Sequence, residues 1–134
     1  MEFFRYIDCT GISADAIKQH CTIASLPQYC ASIDKLLSHE GEHGDIYCLW
    51  GQFSVQRSLL RNGVRFALLN CPHALCWTLT TDEAQQRLTL HCTIDKTAQT
   101  AGIDEFADSI ELFLDDWQRG IGQHLCPHGQ AIRQ

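Results

Sequence analysis

The chain is poor in charge, and the charge it has is not gathered anywhere. Asp, Glu, Lys and Arg together make up 19% of the 134 residues, the net charge is −6, and the ten Lys and Arg are scattered. A nucleic-acid binder needs a basic stripe for phosphate contacts, so that class is excluded, and an anionic membrane surface is disfavoured for the same reason. No apolar run approaches the roughly 18 residues of a membrane span. No Ser/Gly/Pro-rich stretch calls for disorder. The opening MEFFRYIDCTG lacks a basic segment followed by an apolar one, which predicts no signal peptide and a cytoplasmic protein. The eight cysteines, at 9, 21, 30, 48, 71, 76, 92 and 126, contain no C-x-x-C pair. In a reducing compartment they are expected as free thiols, mostly serving as small buried apolar side chains.

What is present is a domain-sized chain with 45% apolar residues, enough for one core. Residues 1–124 are read as one helix-on-sheet domain of the α+β class, with 125–134 as a C-terminal tail. Phe3–Cys9 suits a short strand. Ser13 and Asp15 mark a helix start. Ser25-Leu26-Pro27-Gln28 has the form of a capping box, after which Leu26, Cys30, Ile33 and Leu37 recur at helical spacing up to Gly41. From 45 to 94 the period changes to two, and a four-stranded antiparallel meander is expected. Its first strand places Tyr47, Leu49, Phe53, Val55 and Leu59 on one face. Asn62-Gly63 supplies a type I′ hairpin turn that sets Leu59 against Phe66. The third and fourth strands are expected to pair Trp77 with Leu90, Leu79 with Leu88, and Cys76 with His91. A long amphipathic helix follows. Ile103, Ala107, Ile110, Leu114, Trp117 and Ile121 make its stripe, Phe106 and Phe113 widen it, and Gly120 and Gly122 end it. Its acidic face, Asp104, Glu105, Asp108, Glu111 and Asp115, reads as solvated. The order strand, two helices, strands, long helix resembles that of helix-grip proteins. The resemblance implies an apolar ligand held between a curved sheet and the last helix.

Two kinds of site are worth naming. The first is a pocket between sheet and helix, lined by Phe66, Trp77, Leu90, Phe113 and Trp117, with Arg57 as the charged side chain on the inward face and an anchor for an anionic group. The second uses the repeated tripeptide Cys-Pro-His at 71–73 and 126–128. Cys71, His73, Cys126 and His128 could supply four zinc ligands if the tail folds back, although neither copy has the paired spacing of zinc sites. The run SHEGEHG, with His39 and His43 around Glu40 and Glu42, reads as a solvated loop. No cysteine protease pattern is present and no carboxylate falls at an inward position. A non-enzymatic binding domain without a cofactor is therefore expected, taking a protein partner or a small apolar ligand. The other sheet face, with Trp50, Leu60, Leu69 and Cys76, is apolar enough that helices or a second copy should cover it.

Overall fold

The computed structural model describes residues 1–95 and 103–126. It contains one seven-stranded antiparallel sheet, in place of the four-stranded meander expected. Strand β1 (Glu2–Asp8) comes first, followed by the short helices α1 (Ala14–His20) and α2 (Leu26–Tyr29). Six strands then run consecutively: β2 (Ile33–Glu40), β3 (His43–Cys48), β4 (Gly51–Leu60), β5 (Gly63–Leu68), β6 (Cys76–Asp82) and β7 (Arg87–Thr93). Helix α3 (Ile103–His124) is the last element of the described chain. Spatially the order is β1-β7-β6-β5-β4-β3-β2, so the first strand returns to pair with the last.

Two local events account for the extra strands. The hydroxyl of Ser25 is already engaged with the end of α1, accepting from Thr22 N–H at 2.9 Å and donating to the His20 carbonyl at 2.8 Å. It caps nothing in α2, which stops at Tyr29 when Cys30 turns extended (φ −138°, ψ 110°). Residues 33–40 are then free to pair as β2, and Gly41, with φ +60°, is a hairpin turn. The second event divides the long strand expected from residue 45. Cys48 pairs with Gly51, whose φ is +113°, leaving Leu49-Trp50 as a tight turn. Parity flips across it, so Ile46 and Cys48 point inward while Tyr47 and Leu49 are exposed.

Downstream, the burial follows the alternating pattern except at the end of β4, where Leu59, expected on the apolar face, is exposed, and two registers move by two residues. In the β4–β5 hairpin, Leu60 pairs with Gly63, so Leu59 faces Val64, and Arg57 faces Phe66. The turn is Arg61-Asn62, because Gly63 is needed inside the strand. A Cβ there would lie 1.8 Å from the Leu79 carbonyl oxygen. In the β6–β7 hairpin the turn shifts toward Gln86, which adopts φ +53° and accepts Cys9 N–H on its carbonyl at 2.8 Å. Leu79 consequently faces Leu90, Trp77 faces Cys92, and Cys76 faces Thr93 in place of His91.

Helix α3 buries Ile110, Phe113, Leu114, Trp117 and Ile121 against the sheet. It does not end at Gly120. That glycine lies under the α2 backbone, where a Cβ would come within 1.9 Å of the Tyr29 carbonyl oxygen, so its bare surface lets the two helices touch. A disulfide between Cys9 and Cys126 ties the end of α3 to the end of β1. The expectation of eight free thiols is corrected by that bond, and the other six cysteines are free.

Candidate functional site

Between the sheet and α3 lies a layer of aromatic rings. Phe66 and Trp77, on neighbouring strands, stack at 5.3 Å between centroids. Trp77 meets Phe113 edge-on at 5.0 Å and Trp117 at 6.1 Å. Phe66 also reaches Trp117, at 6.2 Å. Each of these four side chains is at most 1% exposed, and Leu90 lies buried on the same sheet face opposite Leu79. Ring pairs at these separations add attraction beyond the area they bury.

The polar atoms of this layer are less well served. The indole Nε1 of Trp77 and that of Trp117 are both buried with no hydrogen-bond partner. An unmade hydrogen bond of this kind costs about 1–3 kcal/mol. Toward the N-terminal half of α3 the layer reaches the surface. There Trp50 packs against Phe113 at 5.0 Å and Phe106 at 5.5 Å, and its Nε1 donates to Ser109 Oγ at 2.8 Å. Beside it, Cys71-Pro72-His73-Ala74 forms a turn closed by Ala74 N–H on the Cys71 carbonyl at 3.0 Å, with Ala74 at φ +51°. That turn lays the His73 ring on Phe106 at 4.4 Å and leaves its Nδ1 buried without a partner. Trp50, His73, Phe106 and Ser109 thus form a half-buried cluster at the edge of the layer that the strand pattern did not indicate. The alternating pattern puts Trp50 on the outer face, and the parity flip at Gly51 brings it inside; the Trp-Gly pair in an otherwise alternating run is the signal for it.

Each of the three guanidinium nitrogens of Arg57 is engaged. Nε donates to the Cys21 carbonyl at 2.9 Å, Nη1 meets both Glu42 oxygens at 3.0 and 2.9 Å, and Nη2 donates to the Lys18 carbonyl. Its head is turned to the end of α1, away from the aromatic layer, and it secures that helix to β4.

The four zinc-ligand candidates do not come together as a set. Cys71 and His73 share the β5–β6 turn, Cys126 is bonded to Cys9 and has no thiolate to offer, and His128 lies outside the described residues. Among the described residues no three His, Cys, Asp or Glu side chains are grouped to hold a metal ion. Burial pushes the Cys21, Cys30 and Cys92 thiols up to about 12, so these behave as apolar groups. A shallow depression of about 90 Å³ separates α2 from α3 beside Asp116 and Arg119. Asp116 is already taken there by Ser32 and by Arg119 at 2.8 Å.

No family model matches the chain, and no curated protein matches it in sequence. Solved structures match in fold. XoxI from Bacillus cereus is 11% identical over 92% of both chains, with a TM-score of 0.65. An uncharacterised protein from Bacillus thuringiensis is 14% identical over 89% of this chain and 96% of its own, with a TM-score of 0.59. StfQ, a di-domain ARO/CYC from the steffimycin biosynthetic pathway, is 12% identical and has a TM-score of 0.61. The match spans 97% of this chain and 50% of StfQ. At these identities the likeness is one of fold alone.

Proposed function

We propose that this is a binding domain that takes a compact, flat apolar molecule carrying a hydrogen-bond acceptor between the sheet and α3. The observation that carries the reading is the pair of buried, unpartnered indole N–H groups on Trp77 and Trp117, whose rings lie 6.1 Å apart in that layer. Sites that hold small molecules are apolar with a few convergent polar groups. Here an acceptor oxygen on a ligand would satisfy donors that the protein leaves unpaired. Entry is at the Trp50–His73–Phe106 end, where the rings are half-buried and held by one hydrogen bond and three ring contacts. Because rings fill the layer, the ligand must displace one of them, which limits its size to about two fused rings. Binding is favoured over catalysis because Arg57 is the single buried charged side chain among the described residues, and each of its guanidinium nitrogens is held by the protein. The likeness to one half of StfQ, a protein of a biosynthetic pathway, agrees with a small organic ligand.

The test follows the indole N–H resonances of the 15N-labelled protein during titration with coumarin, which has a lactone oxygen, and with naphthalene, which has no acceptor. Downfield movement of the Trp77 and Trp117 signals with coumarin, and not with naphthalene, is expected. If coumarin at its solubility limit leaves both signals unmoved, the reading fails.

A further inference from the structure

The sheet has two edges, and they are built differently. Strand β2 is interrupted by register shifts between Ile33 and Lys35 and between Leu36 and Ser38, and it carries Asp34, Lys35, His39 and Glu40. Bulges and charges of this kind blunt an edge against pairing. Strand β1 pairs with β7 in unbroken register over all seven residues from Glu2 to Asp8. Met1 and Ile94 exchange both backbone hydrogen bonds, at 3.1 and 3.0 Å. Antiparallel alternation therefore commits the odd residues of β1 to β7 and turns the backbone groups of Glu2, Phe4 and Tyr6 toward the open edge. Among the described residues no other strand pairs there.

The two flanks of this edge differ in chemistry. On the outer face Phe4 and Tyr6 are 46% and 54% exposed. They form a flat row in which His91 stacks on Phe4 at 4.3 Å, Phe4 lies 6.2 Å from Tyr6, and the Arg87 guanidinium caps Tyr6 at 4.6 Å. On the helix side, Asp104, Asp108, Glu111 and Asp115 recur at helical spacing along α3. The stripe is brought to β1 by Arg5, which reaches Glu111 at 2.7 Å and Asp115 at 2.9 Å. The helix runs the same way as β1, since Glu111 lies at Arg5 and Cys126 is bonded to Cys9. Asp104 and Asp108, both exposed, thus continue the stripe toward the Glu2 end.

We infer that the β1 edge is a strand-addition site for an extended segment of another protein in which basic and apolar residues alternate. Pairing onto β1 would put every second side chain over Phe4 and Tyr6 and the intervening ones toward the α3 carboxylates, so one period-two pattern satisfies both flanks. The charge is complementary to a basic segment. A second copy of this chain paired antiparallel and centred on Arg5 would oppose Arg5 to Arg5 and Glu2 to Asp8, and like charges directly opposite destabilise that register.

The probe is a fluorescein-labelled peptide, Lys-Tyr-Lys-Val-Lys-Tyr-Lys, compared with two others. One has the same composition but its lysines in a block, and the other has Glu in place of every Lys. The alternating peptide should bind at least tenfold more tightly than the blocked one and shift the amide resonances of Glu2, Phe4 and Tyr6. The Glu peptide should not bind, and the D104N/D108N double variant should weaken the alternating peptide several-fold while keeping its own amide spectrum. Equal affinity for the alternating and blocked peptides would mean charge attraction without strand pairing and would overturn the proposal. A β1 spectrum unmoved at millimolar peptide would do the same, as would a dimer by light scattering that Tyr6→Lys dissociates.

Discussion

Replacing Arg57 separates what the sequence offered as an anchor from what the structure uses as a clasp. In Arg57→Met the carbonyls of Lys18 and Cys21 lose a charged donor, and Glu42 loses its two-oxygen partner. The residue is 7% exposed and Cys21 fully buried, so water does not restore the lost bonds in full. Hydrogen bonds to charged groups are each worth about 1.5–3 kcal/mol. Removing one partner of a buried, charged network costs about 3–5 kcal/mol. The ion pair is the smaller part, because the Glu42 side chain is 50% exposed, and solvated pairs contribute about 0–1 kcal/mol. Glu42→Gln should therefore cost under about 1 kcal/mol. Urea unfolding followed by circular dichroism measures both. With a slope near ~2 kcal/mol per M, Arg57→Met should lower the midpoint by about 2 M, against well under 1 M for Glu42→Gln. Arg57→Lys should lose most of the same stability, since the single ammonium nitrogen cannot reach acceptors that Arg57 meets with three separate nitrogens. If the Met and Gln variants unfold at the same midpoint, the carbonyl clasp is not what holds α1.

Removing the disulfide with Cys126→Ser should cost up to about 5 kcal/mol by chain entropy, since the bonded residues are 117 apart; an unchanged urea midpoint would refute it. Ellman's reagent at pH 8 should form mixed disulfides quickly with Cys71 and Cys76 of the native protein, the two half-exposed free cysteines, releasing one thionitrobenzoate from the reagent at each. The remaining four should react only on unfolding, and rapid release from more than two sites would contradict the burial. The Asp45 carboxyl is held below its ordinary value by hydrogen bonds from Ser54 and Ser38. A depressed folded value means that its contribution is present above the unfolded value and lost as pH falls through the folded one. Asp45→Asn should therefore remove part of the stability lost on acidification below pH 4, and an identical acid limb in variant and parent would exclude this role.

Legibility in the sequence followed the range of the forces. Face alternation within a strand is a property of neighbouring residues, and the inward positions of β5, β6, β7 and α3 were readable from it. Register is not local: both hairpins moved by two residues because Gly63 must pass under Leu79 and Gln86 must meet Cys9, contacts that no window of the sequence contains. Residues 33–40 carry a helical spacing and still form β2. The capping hydroxyl of Ser25 is taken by the preceding turn, and pairing with β3 outweighs the weak helical propensity of a short segment. The Cys9–Cys126 bond joins two ends of the chain and left no spacing signal. Four of the six pocket candidates do meet as rings, while the position of Arg57 and the Trp50–His73–Phe106 cluster depend on tertiary placement.

The position of α3 links the two proposed surfaces. Its inward side supplies Phe113 and Trp117 to the aromatic layer, and its acidic stripe faces β1. The C-terminal end is fixed by Cys126 and by the contact of Gly120 with α2, and the middle is held by Arg5. The N-terminal half meets the body through the Trp50–Ser109 hydrogen bond and the rings of Trp50, His73, Phe106 and Phe113. Opening for a ligand therefore belongs at that half, where stacks can re-form around a flat molecule. A movement there pivots the helix about the Arg5 contacts and displaces Asp104 and Asp108 relative to Glu2. A segment paired on β1 and held by those carboxylates would resist that pivot. Ligand and partner strand should consequently each weaken the other's binding, by the same factor in both directions.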